Sequence, residues 1–232
     1  MTLLIVVIAV AMLLLVIGLW IPFVVAGAAM ALIVAKKGVA GLTAVGLVTW
    51  SSANSFTLTA IPMFILMAEI LLQTGLATRL YRGLARVTRS LPGGLLQTNI
   101  LGCALFSAIS GSSVATAAAI GTVAVPELKS RGYPMSAAYG SLAAGGTLGI
   151  LIPPSIALIV YGTFTETSIV RLFAAGMIPG ILLAFLFSIY VGFAGRRQAG
   201  APQKAEQDPG AGVLLDVGPV VALIGLVLSA LY

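Results

Sequence analysis

The sequence predicts an all-α integral membrane protein, a polytopic helical bundle with a re-entrant helical hairpin and a discontinuous helix. Composition is the first observation behind that class. Hydrophobic residues make up 60% of the 232 and charged residues 8%, and the mean hydropathy is +1.15. A soluble domain carries roughly 25% charged residues, so most of the outer surface here must face lipid. The second observation is the pattern. Long uncharged runs of helical length alternate with short basic segments, whereas barrel strands alternate polar and apolar over about ten residues. The third is that two of these runs are interrupted, one by serine and glycine, the other by glycine and paired proline.

Residues 3–35 are almost continuously apolar. As one helix they would reach about 50 Å, too long for a hydrocarbon core of about 30 Å. Trp20, Ile21 and Pro22 supply the break, since proline suits a first helical turn and tryptophan the interface. Two spans follow, over 2–19 and 21–35, with Lys36 and Lys37 after them. No basic residue precedes the first run, so it reads as a retained span and not as a cleaved signal. Residues 41–54 are shorter and more polar, an interfacial or lateral segment.

A span over 57–76 comes next and contains Glu69. This carboxylate is costly in lipid without a partner or water. A proton carrier and an interfacial residue paired with Arg79 or another subunit both fit. Arg79, Arg82, Arg86 and Arg89 then form a basic amphipathic stretch with Leu80, Leu84 and Val87 between them. It fixes orientation, and it suits lipid headgroups or a partner subunit as well.

Residues 91–126 are predicted to form the hairpin. Within them, SAISGSSVATAAAIG (107–121) has twelve Gly, Ala, Ser or Thr residues out of fifteen. Small residues allow close helix packing in membranes. Packing alone does not require Ser110, Gly111, Ser112 and Ser113 in succession with Thr116 beyond. That run supplies hydroxyls and a turn, and irregular backbone at membrane depth is tolerated where protein buries it or an aqueous cavity receives it. Two full helices remain the alternative to a re-entrant tip.

Residues 135–165 are predicted to be one broken helix. Its centre reads AAGGTLGILIPPSIALIVY (143–161). Pro153 and Pro154 remove two backbone donors, and Gly145, Gly146 and Gly149 loosen the preceding turns. Freed carbonyls over 149–154 are hard oxygen ligands of the kind sodium prefers, and a half-helix starting near Ser155 attracts anions. The alternative is a simple proline kink. A span over 172–194 follows, then a polar linker over 198–212 and the start of a further helix over 213–232.

Orientation follows from the positive charges. Nine of them (Arg79, Arg82, Arg86, Arg89, Lys129, Arg131, Arg196, Arg197 and Lys204) fall on one side, and three (Lys36, Lys37 and Arg171) on the other. The larger group marks the cytoplasmic side. Because the twelve basic residues are scattered between apolar runs, the net charge of +6 is not a nucleic-acid footprint. Histidine is absent and Cys103 is the single cysteine, which leaves no disulfide framework and no thiol or imidazole metal site. Without a base beside Ser110 or Ser113, a membrane-embedded enzyme is disfavoured, and two broken segments fit a midplane binding site better than a channel.

The segment SAISGSSVATAAAIGTVAVPELKSRGYPMSAAYGSLAAGGTLGILIPPSIALIVYG closely resembles the large membrane subunit of tripartite ATP-independent periplasmic (TRAP) transporters, the DctM-like family. The likeness extends to FTLTAIPMFILMAEILLQTG (56–75) and covers most of residues 1–195. It implies an elevator-type transporter whose first inverted repeat is residues 1–197. It also implies sodium-coupled import of C4-dicarboxylates or other organic acids across the bacterial inner membrane. The partners it implies are a periplasmic substrate-binding protein and a small membrane subunit. The resemblance places sodium ligands at Ser110, Ser112, Gly149, Ile152 and Pro154, and substrate contacts at Ser113, Thr116, Gly145, Gly146, Thr147 and Ser155. Sodium is the coupling ion, and no other cofactor is expected. Members continue into a second repeat, so residues 1–232 are expected not to transport by themselves. A divalent-anion/sodium symporter that works without a binding protein is the neighbouring alternative.

Overall fold

A computed structural model of the chain describes residues 2–88, 90–198 and 212–231. All regular structure among them is helical. Arg89, Lys204 and nearly all of the expected linker lie outside the described residues, as do the side chains of Arg196 and Arg197.

Residues 1–55 form one compact unit and residues 56–232 another. The first contains α1 (Thr2–Val16), α2 (Ile21–Lys37) and α3 (Gly41–Ala53). The break between α1 and α2 falls where Trp20 and Pro22 place it. Gly18 there takes a positive φ of 92°, and Pro22 stands in the first turn of α2. Gly41 lets α3 approach α2 closely, because a Cβ on it would lie 2.7 Å from the Ile33 side chain.

The second unit opens with a 3-10 helix over Phe56–Thr59 and α4 (Ala60–Gln73), followed by α5 (Leu76–Thr88). The expected span over 57–76 thus holds the 3-10 helix and α4 and stops where α5 leaves α4 at 66°. The cause is local. The Thr74 N–H closes α4 onto the Ile70 carbonyl, and Gly75 takes a φ of 71°, a left-handed turn that stops the helix. α5 is strongly two-faced, burying Ala77, Leu80, Tyr81, Leu84 and Thr88. Arg79 and Arg82 are exposed. Val87 lies outside the buried face and Tyr81 within it. Glu69 stands exposed on α4 and accepts a hydrogen bond from Gln73 one turn on, at 2.9 Å.

α6 (Leu95–Ser110) and α7 (Ser113–Ser130) form the expected hairpin. Their 16 and 18 residues give arms of about 24 and 27 Å. α7 passes through Pro126, where the hairpin was expected to end, and continues another turn. There Arg131 pairs with Glu127 at 2.6 Å. α8 (Met135–Leu151) and α9 (Ile156–Phe164) are the two halves of the broken helix. α10 (Ile169–Gln198) and α11 (Gly212–Leu231) complete the unit.

The core of this unit lies between α5, α6, α7 and α8, around Leu80, Ile100, Cys103, Phe106, Ile120 and Leu128. α10 differs in presenting Ile178, Ile181, Leu182, Phe185 and Phe193 outward. An apolar exterior of this kind is what lipid requires. Residues Met135–Phe164 taken through their break and Ile169–Gly195 are each long and apolar enough to cross a membrane. The bent α4–α5 pair makes a third such stretch if it is counted as one span.

Candidate functional site

The tip of the hairpin meets the break in the broken helix. α6 ends at Ser110, where Gly111 adopts the left-handed conformation at φ 61° and returns its N–H to the Ser107 carbonyl. Ser112 is extended, and its side chain accepts from the Ala115 N–H to cap α7. Across from this turn, α8 ends at Leu151 and Ile152 is extended. The Pro153–Pro154 peptide is cis. Ser155 is fully buried, and its hydroxyl caps α9 by accepting from the Leu158 N–H at 3.5 Å. The two halves are joined directly, since the Ile156 N–H donates to the Gly111 carbonyl at 3.0 Å.

The glycines explain how the approach can be so close. A Cβ on Gly111 would lie 2.6 Å from the Pro154 carbonyl oxygen. One on Gly149 would lie 2.8 Å from both the Ser112 carbonyl carbon and the Ser113 nitrogen. Gly146 rests on Ala117 and the Ser113 carbonyl, and Gly145 on Cys103. From the other side, Gly176 and Gly180 of α10 press on Leu151 and Ile152. The small residues of both segments thus serve close packing, and that packing holds two interrupted helices end to end.

Four helix ends converge here. α7 and α9 begin at the crossing, so their N-terminal dipole ends favour negative charge. α6 and α8 end there, and the last carbonyls of a helix have no intrahelical partner. No charged residue lies within 91–126 or 132–165, so the polarity of the crossing comes from hydroxyls and backbone. Such an arrangement suits an anion and a hard cation side by side.

The serines differ in their surroundings. The Ser110 and Thr116 hydroxyls meet at 2.7 Å, both buried. Ser110 Oγ also lies 3.4 Å from the Ser112 nitrogen and carbonyl oxygen. Ser113 Oγ is buried without a hydrogen-bond partner among the described residues, and so retains bonding capacity at the start of α7. The structure therefore gathers Ser110, Ser112, Ser113, Thr116, Gly146, Gly149, Pro154 and Ser155 around one crossing, with Ile152 at its edge. Gly145 sits one step further down the α6–α8 seam against Cys103. Thr147 is exposed and returns its hydroxyl to the Ala144 carbonyl at 2.6 Å, away from the hairpin.

Sequence reasoning missed two polar contacts. Asn99 of α6 joins Tyr81 of α5 to Ser141 of α8, and Asp216 of α11 pairs with Arg86 of α5 at 3.0 Å. Asp216 is a lone charged residue in an apolar run and Asn99 ends the polar run Gln97–Asn99, which are the signals that could have marked them.

The sequence is similar to known membrane proteins. The family model described as "Tripartite ATP-independent periplasmic transporter, DctM component" matches residues 6–232. The C4-dicarboxylate TRAP transporter large permease protein DctM of Pseudomonas aeruginosa is 41% identical over 142 residues, covering 61% of this chain and 33% of that protein. The isethionate TRAP transporter permease protein DctMQ of Oleidesulfovibrio alaskensis is 38% identical over 163 residues, 70% of this chain and 26% of that one. The 2,3-diketo-L-gulonate TRAP transporter large permease protein YiaN of Escherichia coli is 38% identical over 133 residues, 57% and 31% respectively. The chain spans a third or less of the length of these relatives. With its apolar helices and this family match, it is a multi-pass membrane protein. The chain belongs to the DctM component family of the tripartite ATP-independent periplasmic transporters.

Proposed function

We propose that the crossing of the α6–α7 tip with the α8–α9 break is one ion and substrate site of a sodium-coupled permease that imports organic acids. The observation that carries this reading is the Ile156–Gly111 hydrogen bond. It brings two helix N-termini and two helix C-termini to one point in a charge-free stretch of the chain. Sodium would be held by Ser110, Ser112 and the backbone oxygens of Gly149, Ile152 and Pro154. The substrate carboxylate would be received by the N-terminal ends of α7 and α9, near Ser113, Thr116 and Ser155.

The relatives are named for C4-dicarboxylate, isethionate and 2,3-diketo-L-gulonate, all organic anions, which supports an organic anion as the substrate class. In the proposed system a periplasmic binding protein delivers the substrate and a small membrane subunit accompanies the permease in the bacterial inner membrane. The α5–α8 core would move as one body in an elevator cycle. The test is uptake by the complete transporter carrying Ser112→Ala with Ser113→Ala. Loss of sodium dependence is expected, and unchanged sodium dependence would remove the tip from the mechanism.

A further inference from the structure

The seam between α6 and α8 contains one directional contact. Asn99 is fully buried. Its Oδ1 accepts from the Tyr81 hydroxyl at 3.1 Å and its Nδ2 donates to Ser141 Oγ at 2.7 Å. Ser141 Oγ in turn donates to the Ala138 carbonyl at 2.9 Å. These three hydrogen bonds tie α5, α6 and α8 together. Tyr81, Asn99 and Ser141 are 1, 0 and 5% exposed, so water does not compete for these bonds.

The same seam continues toward the tip in regular steps. Asn99 faces Ser141, and four residues on, Cys103 faces Gly145. Beyond the turn of the hairpin, Ala117 faces Gly146, and Ser112 and Ser113 face Gly149. These later steps are contacts of glycine with small residues, whose packing by itself has little preference between one register and a slip of one turn, about 5.4 Å. A slip of that size would carry Gly149 off the tip and separate Gly111 from Ile156. A buried polar side chain that must find its partner is the recognised means of fixing register in helical packing.

We propose that Asn99 is a positioning residue. Held between Tyr81 and Ser141, it sets the register of α6 on α8 and so keeps the hairpin tip seated on the break. This inference rests on the crossing being the ion site, but it makes a claim about the seam that is tested separately. Asn99 lies three turns of α6 below the tip and acts on it only through the register.

Cys103, the single cysteine of the chain, lies fully buried in this seam against Gly145 and serves as the reporter. It is alkylated by a membrane-permeant maleimide only when the seam opens. In the 232-residue chain in lipid nanodiscs, Asn99→Ala and Ser141→Ala are each expected to raise the alkylation rate about tenfold. The double variant should exceed neither by much, because both break one link. Tyr81→Phe keeps the ring packing and removes one bond, so it should give a smaller rise and remain informative if Asn99→Ala fails to fold.

In the complete transporter, Tyr81→Phe and Asn99→Ala should raise the sodium concentration for half-maximal uptake several-fold while the maximal rate changes less. Alkylation rates that match the parent chain in all three single variants would overturn the positioning role. So would a faster alkylation that leaves the sodium half-saturation unmoved. The ion-site reading itself fails by a different result, namely unchanged sodium dependence in the Ser112→Ala, Ser113→Ala transporter.

Discussion

The Ile156 N–H donates to the Gly111 carbonyl at 3.0 Å, joining the first residue of one half-helix to the turn of a hairpin more than forty positions earlier in the chain. Gly111 makes this contact because it lacks a side chain. Its φ of 61° is left-handed, and a Cβ would come within 2.6 Å of the Pro154 carbonyl oxygen.

Gly111→Ala therefore incurs a conformational cost and a backbone clash together. Gly132 is the control, with a φ of 73° but nothing within 4 Å of its would-be Cβ. Gly132→Ala is expected to cost about 1 kcal/mol, the conformational cost alone. Gly111→Ala should cost clearly more, and it alone should abolish uptake. Thermal unfolding of the two variants in detergent, beside uptake by the complete transporter, checks the ordering.

Gly149→Ala tests the same contact from the other side. Its Cβ would meet the Ser112 carbonyl carbon and the Ser113 nitrogen at 2.8 Å, and backbone of that kind cannot rotate away. An overpacking cost of about 1–3 kcal/mol is expected. Gly140 lies on the same helix with open space around it, so Gly140→Ala should be neutral or stabilising by about 0.5–1 kcal/mol. Equal melting temperatures for the two variants would show that α8 is not pressed against the tip.

Ser110 and Thr116 share a hydroxyl–hydroxyl bond inside the turn. Ser110→Ala leaves the buried Thr116 hydroxyl without that partner, at a cost of about 1–3 kcal/mol. Ser110→Ala combined with Thr116→Val removes both polar atoms and should cost less than the sum of the two single changes. A double-mutant cycle on chain stability measures the difference.

The last helix is held by a charge pair and a notch. Asp216 pairs with Arg86 at 3.0 Å, while a Cβ on Gly83 would lie 2.6 Å from the Val217 side chain. Both charged side chains remain about a quarter exposed, so Asp216→Asn is expected to cost about 1 kcal/mol or less. Gly83→Leu fills the notch against α11, whose Val220 is fully buried, and should release α11 more completely. Limited proteolysis within α11 reads this directly, with Gly83→Leu cleaved fastest.

Most of the helical order was legible because proline, glycine and charge mark helix ends in this chain. Pro22 marked the start of α2, the serine–glycine run gave the turn between α6 and α7, and Pro153 with Pro154 gave the break. The expected span ended at Leu76, beside the turn at Gly75, but the 66° at which α5 leaves was not legible. One glycine after Gln73 and Thr74 reads equally as a helix end or as a packing residue, and the apolar run before it suits a straight span. Val87 was placed on the apolar face by hydrophobicity, whereas Tyr81 takes the buried position because Asn99 offers its hydroxyl an acceptor.

The residues of the crossing stand out in the sequence, because successive hydroxyls and paired prolines are unusual in apolar runs. Their contact does not. Nothing in residues 107–121 or 143–161 by themselves says that Gly111 meets Ile156. The close approach depends on Gly145, Gly146 and Gly149 lying on one face of α8 toward the hairpin, and on Gly176 and Gly180 closing from α10. Asn99 and Ser141 were passed over for the same reason, since either alone reads as a tolerated polar residue.

A density map of the complete permease, collected with organic acid in sodium and again in potassium, tests the crossing most directly as the ion and substrate site. Density for an ion between Ser110, Ser112 and the backbone over 149–154, present in sodium and absent in potassium, is the expected result. Sodium-dependent density confined to other parts of the permease, with the Gly111–Ile156 crossing identical in both maps, would contradict it.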